Sequence, residues 1–330
     1  MTIAFTICSN NYLAHAKTLG DSYLKHHPLD KFVIGLVDRP AANFDYAFFK
    51  DFEIIPVDDI EIKEFPELLE KYNITELNTA VKPSYIHHLF KKYNAAKLLY
   101  IDPDILVTSP FEEVISILDS SNIVLTPHLL SPIDDEYAPT DYHTLRGGIF
   151  NLGFIGLSNY NKIEPFIKWW HERVIKYGFA DFSKNMFYDQ LWVNYVPCFF
   201  DSFHILKHPG YNMANWNLHE RFIEDNSNNY TVNGEFPLRF FHFSSYKFSN
   251  PNVICSYLTR YSFEDRKDLI SIFDTYHKYL IKNRVEEIFK LPVYYYPALH
   301  SSFKHGKKNI IEKITLRIKK SVKVLLKGSL

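Results

Sequence analysis

Asp102-Pro103-Asp104 directly follows the apolar run LLYI and precedes ILV. Two carboxylates one residue apart at a strand end, with Pro103 stiffening the turn, can converge on one hard cation such as Mg2+ or Mn2+. Such a cation bridges and neutralises a diphosphate. With twenty aspartates in the chain, about one D-x-D is expected by chance, so the position at a strand end carries the weight, not the motif. The alternative is a pair of turn or cap aspartates on a solvated edge. Two carboxylates, diphosphate oxygens and water leave room for one more protein ligand. His242 in FFHFSSYKF is the candidate, with Lys247 five residues on as a point charge for phosphate. As one of 15 histidines, His242 can equally be a satisfied core or surface residue.

Such a centre needs strands to hold it. Up to about residue 126, the runs at 3–8, 32–38, 52–57, 97–102 and 122–127 read as strands, several with the near-continuous apolar character of a buried parallel sheet. NYLAHAKTLGDSYLKHH and TAVKPSYIHHLFKKY between them have helical spacing. The alternation predicts a three-layer α/β fold, a mixed and mostly parallel sheet sandwiched by helices, with ligands beyond the carboxyl ends of the strands. Residues 128–148 form a long polar stretch with Pro132, Pro139, Gly147 and Gly148, an active-site loop candidate. Its Asp141, His143 and Arg146 either meet bound substrate or are plainly solvated. A strand at 149–157, helices at about 161–177 and near 186–196, an irregular segment at 208–221 and a strand at 238–243 complete this domain. In the irregular segment, Tyr211, Asn212, Trp216 and Asn217 either bind sugar or stabilise the loop. Ser262 with Asp265 is an N-cap signature for a long helix to about 289. Neither G-x-G-x-x-G nor a P-loop is present, so a phosphate here needs a metal.

The predicted organisation is a catalytic domain over 1–250, a helical extension over 251–303 and a tail over 304–330. At 46% hydrophobic and 23% charged residues, disorder is excluded for the body of the 330-residue chain. Cys8, Cys198 and Cys255 stand apart without a C-x-x-C pair, which fits a reducing cytoplasm. No apolar run approaches the roughly 18 to 20 residues of a membrane crossing, and Met1 leads into IAFTIC without a basic n-region, so neither a span nor a signal peptide is expected. The tail carries nine Lys or Arg against Glu312 alone. It is therefore +8, and the other 303 residues are −9. Ile310, Ile311, Ile314, Ile318, Val322, Leu325 and Leu326 recur there at helical spacing among the cations. A basic amphipathic helix of this kind suits an anionic membrane surface; packing on the domain or disorder is the alternative. Nucleic acid is not expected as a partner, because the acidic body offers no supporting basic face.

In order and spacing, these motifs resemble the GT-A fold glycosyltransferases, especially the retaining glycogenin-like family and the bacterial lipopolysaccharide galactosyl- and glucosyltransferases. A first strand leads to Asn11-Tyr12-Leu13, Ala16, Leu19 and Ser22. Lys82 precedes YIDPDILV, and FNLGFIGL, DQLW and a terminal histidine segment follow, over about residues 3–248. The resemblance implies that Asp102, Asp104 and His242 bind Mn2+ or Mg2+. It further implies that Cys8, Tyr12, Asp38 and Lys82 flank the nucleotide, that Asn151 and Gly153 lie beside the donor sugar, and that Asp189 and Gln190 lie near the anomeric carbon. The family's H-F-x-G-x-x-K-P-W becomes His242-Phe243-Ser244-Ser245-Tyr246-Lys247-Phe248. The Gly is replaced, the Pro-Trp is missing and the lysine is one position early, which points to a sister family.

The implied activity is transfer of a sugar from a nucleoside-diphospho-sugar, a UDP-sugar by family habit, to a saccharide or glycolipid acceptor at the cytoplasmic membrane face. The leaving diphosphate gains charge in an oxocarbenium-like transition state, which a divalent cation stabilises without a strong protein acid. Asp189 or Gln190, at the start of a helical pattern, supplies a nucleophile or a dipole under the anomeric carbon, or Asp189 is simply a helix N-cap. The rival readings are a sugar-nucleotide or glycan-binding protein without turnover and a sugar-nucleotidyltransferase. The latter normally shows a Gly-rich basic first loop, which SNNYLAH is not.

Overall fold

The computed structural model describes residues 1–227 and 229–295. The basic tail expected at 304–330 and the end of the expected extension lie outside the described residues. Ten strands build the two sheets that matter for the site: β1 (Thr2–Cys8), β2 (Lys31–Leu36), β3 (Glu53–Pro56), β4 (Lys97–Ile101), β5 (Ile105–Val107), β6 (Ile123–Pro127), β7 (Phe150–Ser158), β8 (Phe203–Ile205), β9 (Met213–Ala214) and β10 (Phe240–His242). The central sheet has the order β8-β6-β7-β4-β1-β2-β3, and β7 alone in it runs against its neighbours.

Both faces of this sheet are buried, which is why its strands read as continuous apolar runs. Along β1, Ala4 and Cys8 enter one core while Ile3, Phe5 and Ile7 enter the other. Helices Leu13–His26 and Ile270–Lys282 cover the first face, placing Leu13, Ala16, Leu19 and Tyr23 with Ile272, Tyr276 and Leu280 in one cluster. Helices Lys82–Tyr93 and Tyr160–Tyr177 cover the second with Tyr85, Ile86 and Leu89 against Phe166 and Trp170. The apolar residues recur three and four apart, as one buried helix face requires. β1 lies between β4 and β2, so the chain winds outward from it in both directions, and ligands bind at such a switch point beyond the carboxyl ends.

Four local expectations are corrected. Strand 238–243 does not join the central sheet; β10 pairs with β5 and β9 in a separate small sheet. The stretch 128–148 contains a helix, Asp141–Gly147. The helix expected near 186–196 is two short pieces, Gln190–Val193 and Val196–Phe199. The Ser262–Asp265 cap forms, with Asp265 Oδ2 accepting from Ser262 N and Oγ at 2.8 Å each, but the α-helix starts only at Ile270. Buried Arg266 donates to Arg221 O at 2.7 Å and to Asp268, and this drags the intervening turn into the body. The helix then stops at Lys282 instead of running to 289, because Arg284 turns left-handed at φ 61 and Asn283 donates to Thr18 and Asp21.

Candidate active site

β4 ends at Ile101, opposite Phe154 of β7, and the Asp102 N–H donates to Gly153 O at 2.7 Å. The chain turns through Pro103 and re-enters a sheet as β5, whose antiparallel partner β10 sets His242 across from Ile105. Phe243 N donates to Asp104 O at 2.8 Å and locks that register. Thus a strand 140 residues downstream delivers its imidazole to the turn: His242 Nε2 lies 3.2 Å from Asp104 Oδ1 and 3.8 Å from Asp102 Oδ2. The three side chains offer ligand atoms within 4.8 Å of one another. Gly153 makes room for this, since a Cβ there would sit 2.5 Å from His242 Cε1 and 2.7 Å from Asn151 Oδ1.

Electrostatics set the two carboxyls apart. Burial pushes Asp102 up, outweighing the positive charges of Lys82 and His242. Burial also acts on Asp104, but the charge and hydrogen bond of His242 and the charge of His15 hold it below its usual value. For His242, burial is overcome by Asp104 and then Asp102, which raise it. The carboxylates therefore gather positive charge. Two hard oxygen donors and one imidazole suit Mn2+ or Mg2+, and among the described residues buried His242 Nδ1 has no partner, leaving the ring able to shift its proton there.

A second cluster adjoins the first. Lys82 Nζ lies 2.6 Å from Asp189 Oδ2, with side-chain exposures of 2% and 4%, so Asp189 is a buried ion-pair partner and makes no N-cap bond. Lys82 also donates to Leu152 O at 3.1 Å and sits 4.1 Å from the Tyr100 ring centroid. Tyr100 OH donates to Asp102 Oδ1 at 2.5 Å, joining the clusters. Gln190 Nε2 donates to Gly147 O at 2.7 Å while its Oε1 faces Leu152 N at 3.4 Å. Asn151 Oδ1 accepts from Gly153 N at 3.0 Å.

Cys8 and Asp38 lie close together at the carboxyl ends of β1 and β2, beside residues 292–294. Asp38 accepts from the backbone N–H groups of Arg39, Tyr294 and Asn10, yet burial raises it. Asn10 Nδ2 donates to Arg39 O and Pro292 O. Tyr12 stacks on His15 at 3.9 Å, and burial, then Asp104 and Asp102, push its hydroxyl above the usual range. Lys247 is exposed and, among the described residues, makes no ion pair with the carboxylates. The loop reading holds for Asn217, whose Nδ2 donates to His128 O and Asn212 O; Asn212 is buried at φ 56, and among the described residues its side-chain amide has no hydrogen-bond partner. Trp216 stands edge-on to His128 at 5.1 Å and His242 at 5.2 Å.

His128 was missed. It is buried, pairs its Nε2 with Asn151 Nδ2 at 3.2 Å, and is pushed down to about 4 by burial and then by His242. Its place just past β6 was the available signal, because residues beyond the carboxyl ends of parallel strands face the site.

No family model matches the chain. It is 28% identical over 221 residues to the uncharacterized protein YfnD of Bacillus subtilis (strain 168), covering 64% of this chain and 68% of that protein. To YfnF of the same organism it is 21% identical over 206 residues, covering 62% and 68%. Among solved structures, the apo structure of the bifunctional glycosyltransferase WbbM matches with a TM-score of 0.50 at 12% identity, covering 92% of this chain and 51% of that one. The glycosyltransferase GlyE of Streptococcus pneumoniae TIGR4 matches with a TM-score of 0.48 at 16% identity, covering 88% and 64%. This chain thus spans about half of the WbbM chain and less than two thirds of the GlyE chain. The sheet order, its single antiparallel strand β7 and the likeness to WbbM show that the chain has the fold of the GT-A glycosyltransferases.

Proposed function

We propose that the chain is a metal-dependent glycosyltransferase, a hexosyltransferase moving a sugar from a UDP-sugar to a saccharide acceptor with retention. The observation that carries this is the convergence of Asp102, Asp104 and His242 from two sheets at the carboxyl end of β4, beside the switch point. These residues would hold Mn2+ or Mg2+, and the bound cation would supply positive charge to the leaving diphosphate. Lys82 holds Asp189 in place, and Gln190 ties Gly147 to Leu152, so both walls of the sugar site are rigid before substrate arrives. Asn151 and Gly153, on the strand that receives Asp102, would face the donor sugar. Cys8, Tyr12 and Asp38 would line the nucleotide end, and Lys247 would reach phosphate only from the exposed rim.

A lipid-linked acceptor and a peripheral place at the inner membrane face are supported by the basic amphipathic pattern of 304–330. Among the described residues, no helix is long and apolar enough to cross a membrane. The test is incubation with a panel of UDP-hexoses, reading UDP release. Release with Mn2+ that stops with EDTA is the expected outcome. Tight UDP-sugar binding without release, even with acceptor saccharides present, would instead support a binding protein without turnover, and formation of sugar nucleotide from nucleoside triphosphate and sugar phosphate a nucleotidyltransferase.

A further inference from the structure

Arg146 lies in the last turn of helix Asp141–Gly147. Its guanidinium carbon is 4.2 Å from the centroid of the Phe182 ring and 5.3 Å from that of Tyr142. Both rings are exposed. Among the described residues no acid pairs with Arg146. Asp181, beside Phe182, is spent on Ser183 and on Lys184 at 3.2 Å, and Asp141 stands at the far end of the helix. A guanidinium lying over two aromatic rings keeps the N–H groups along its edge free, and its side chain is already ordered before any ligand arrives. That edge is the fork that matches a carboxylate or phosphate.

The chain that carries this fork adjoins the Gln190 side of the proposed site. Gly147, the next residue, accepts from Gln190 Nε2 at 2.7 Å. A Cβ on Gly147 would lie 3.5 Å from Phe187 and 3.6 Å from Gln190 Nε2, and Phe187 stacks on Phe182 at 5.3 Å. A groove of about 650 Å3 flanks the same helix, running from His128 past Tyr142, Leu145 and Ile149 to Lys207. The donor's diphosphate belongs beside Asp102 and Asp104, so a cation on the Gln190 side is left for the other substrate. We propose that Arg146, clamped by Tyr142 and Phe182, binds the acidic group of an anionic acceptor saccharide, a carboxylate or a phosphate. The assignment rests on the glycosyltransferase reading.

The test is ligand-observed NMR on the full chain with Mn2+ and UDP, comparing methyl β-D-glucuronide and glucose 6-phosphate with methyl β-D-glucoside. The wild type should bind at least one acidic sugar about tenfold more tightly than the neutral one, and the better of the two identifies carboxylate or phosphate as the group read. R146A and R146Q should lose the preference while UDP affinity stays within twofold, and R146K should restore part of it. Equal or undetectable binding of all three sugars, an acid preference that survives in R146A, or a loss of UDP affinity in R146A would overturn the assignment. Failure of UDP to bind the wild type would overturn the glycosyltransferase reading itself.

Discussion

Asparagine at Asp102 or Asp104 is expected to lower metal-dependent transfer by about 100- to 1,000-fold, the scale for removing one preorganised charged group from a transition state. Asparagine keeps the side-chain volume, so both variants should still fold and the main loss should appear in turnover and metal binding. The two variants should part in stability. Asp102 is pushed up by burial, so its ionised form is disfavoured in the fold, and D102N should melt at the same temperature or higher without metal. Asp104 is held down by His242, 3.2 Å from the imidazole, and D104N removes the nearer of that ring's two carboxylates and should melt lower. Both should lose the thermal shift that Mn2+ gives the wild type. Undiminished transfer in either variant would remove the metal from the mechanism.

The second large effect concerns Lys82 and Asp189. Removing one partner of a buried pair strands a charge and typically costs about 3–5 kcal/mol, and this pair is 2% and 4% exposed. Lys82→Met leaves the Asp189 carboxylate stranded and should show the full effect in urea unfolding. Asp189→Asn should cost less, because the ammonium keeps Leu152 O and the face of Tyr100. The double variant should recover part of the loss, giving a coupling energy well above the roughly 0.5 kcal/mol noise of independent sites. Additive losses would mean that the two residues act separately. Activity should fall in all three variants, since Lys82 also supports Tyr100, whose hydroxyl holds Asp102.

What the sequence discloses differs between these clusters for a physical reason. Asp102 and Asp104 are legible because two adjacent signals coincide, an apolar strand and a Pro-stiffened turn. His242 is legible because it closes an apolar strand, although its membership of a separate sheet with β5 is not. The helix at Tyr160–Tyr177 follows from its three- and four-residue periodicity. The Lys82–Asp189 pair has no local signature: it joins segments 107 residues apart whose meeting depends on how helix Lys82–Tyr93 lies on the sheet. Asp38 is another such case. It was expected beside nucleotide by resemblance, and its carboxylate is engaged by the Tyr294 N–H from the far end of the described chain. Ser262 and Asp265 show the converse, a local rule obeyed in its hydrogen bonds and overruled in its consequence by buried Arg266.

If Asp102, Asp104 and His242 hold a divalent cation that in turn holds a nucleoside diphosphate, UDP binding must depend on the metal. Calorimetric titration of UDP into the wild-type protein, once with Mn2+ and once with EDTA, should show binding with Mn2+ and at least a tenfold weaker affinity with EDTA, a difference of about 1.4 kcal/mol or more. Equal affinity in both buffers, or no UDP binding in either, would contradict it.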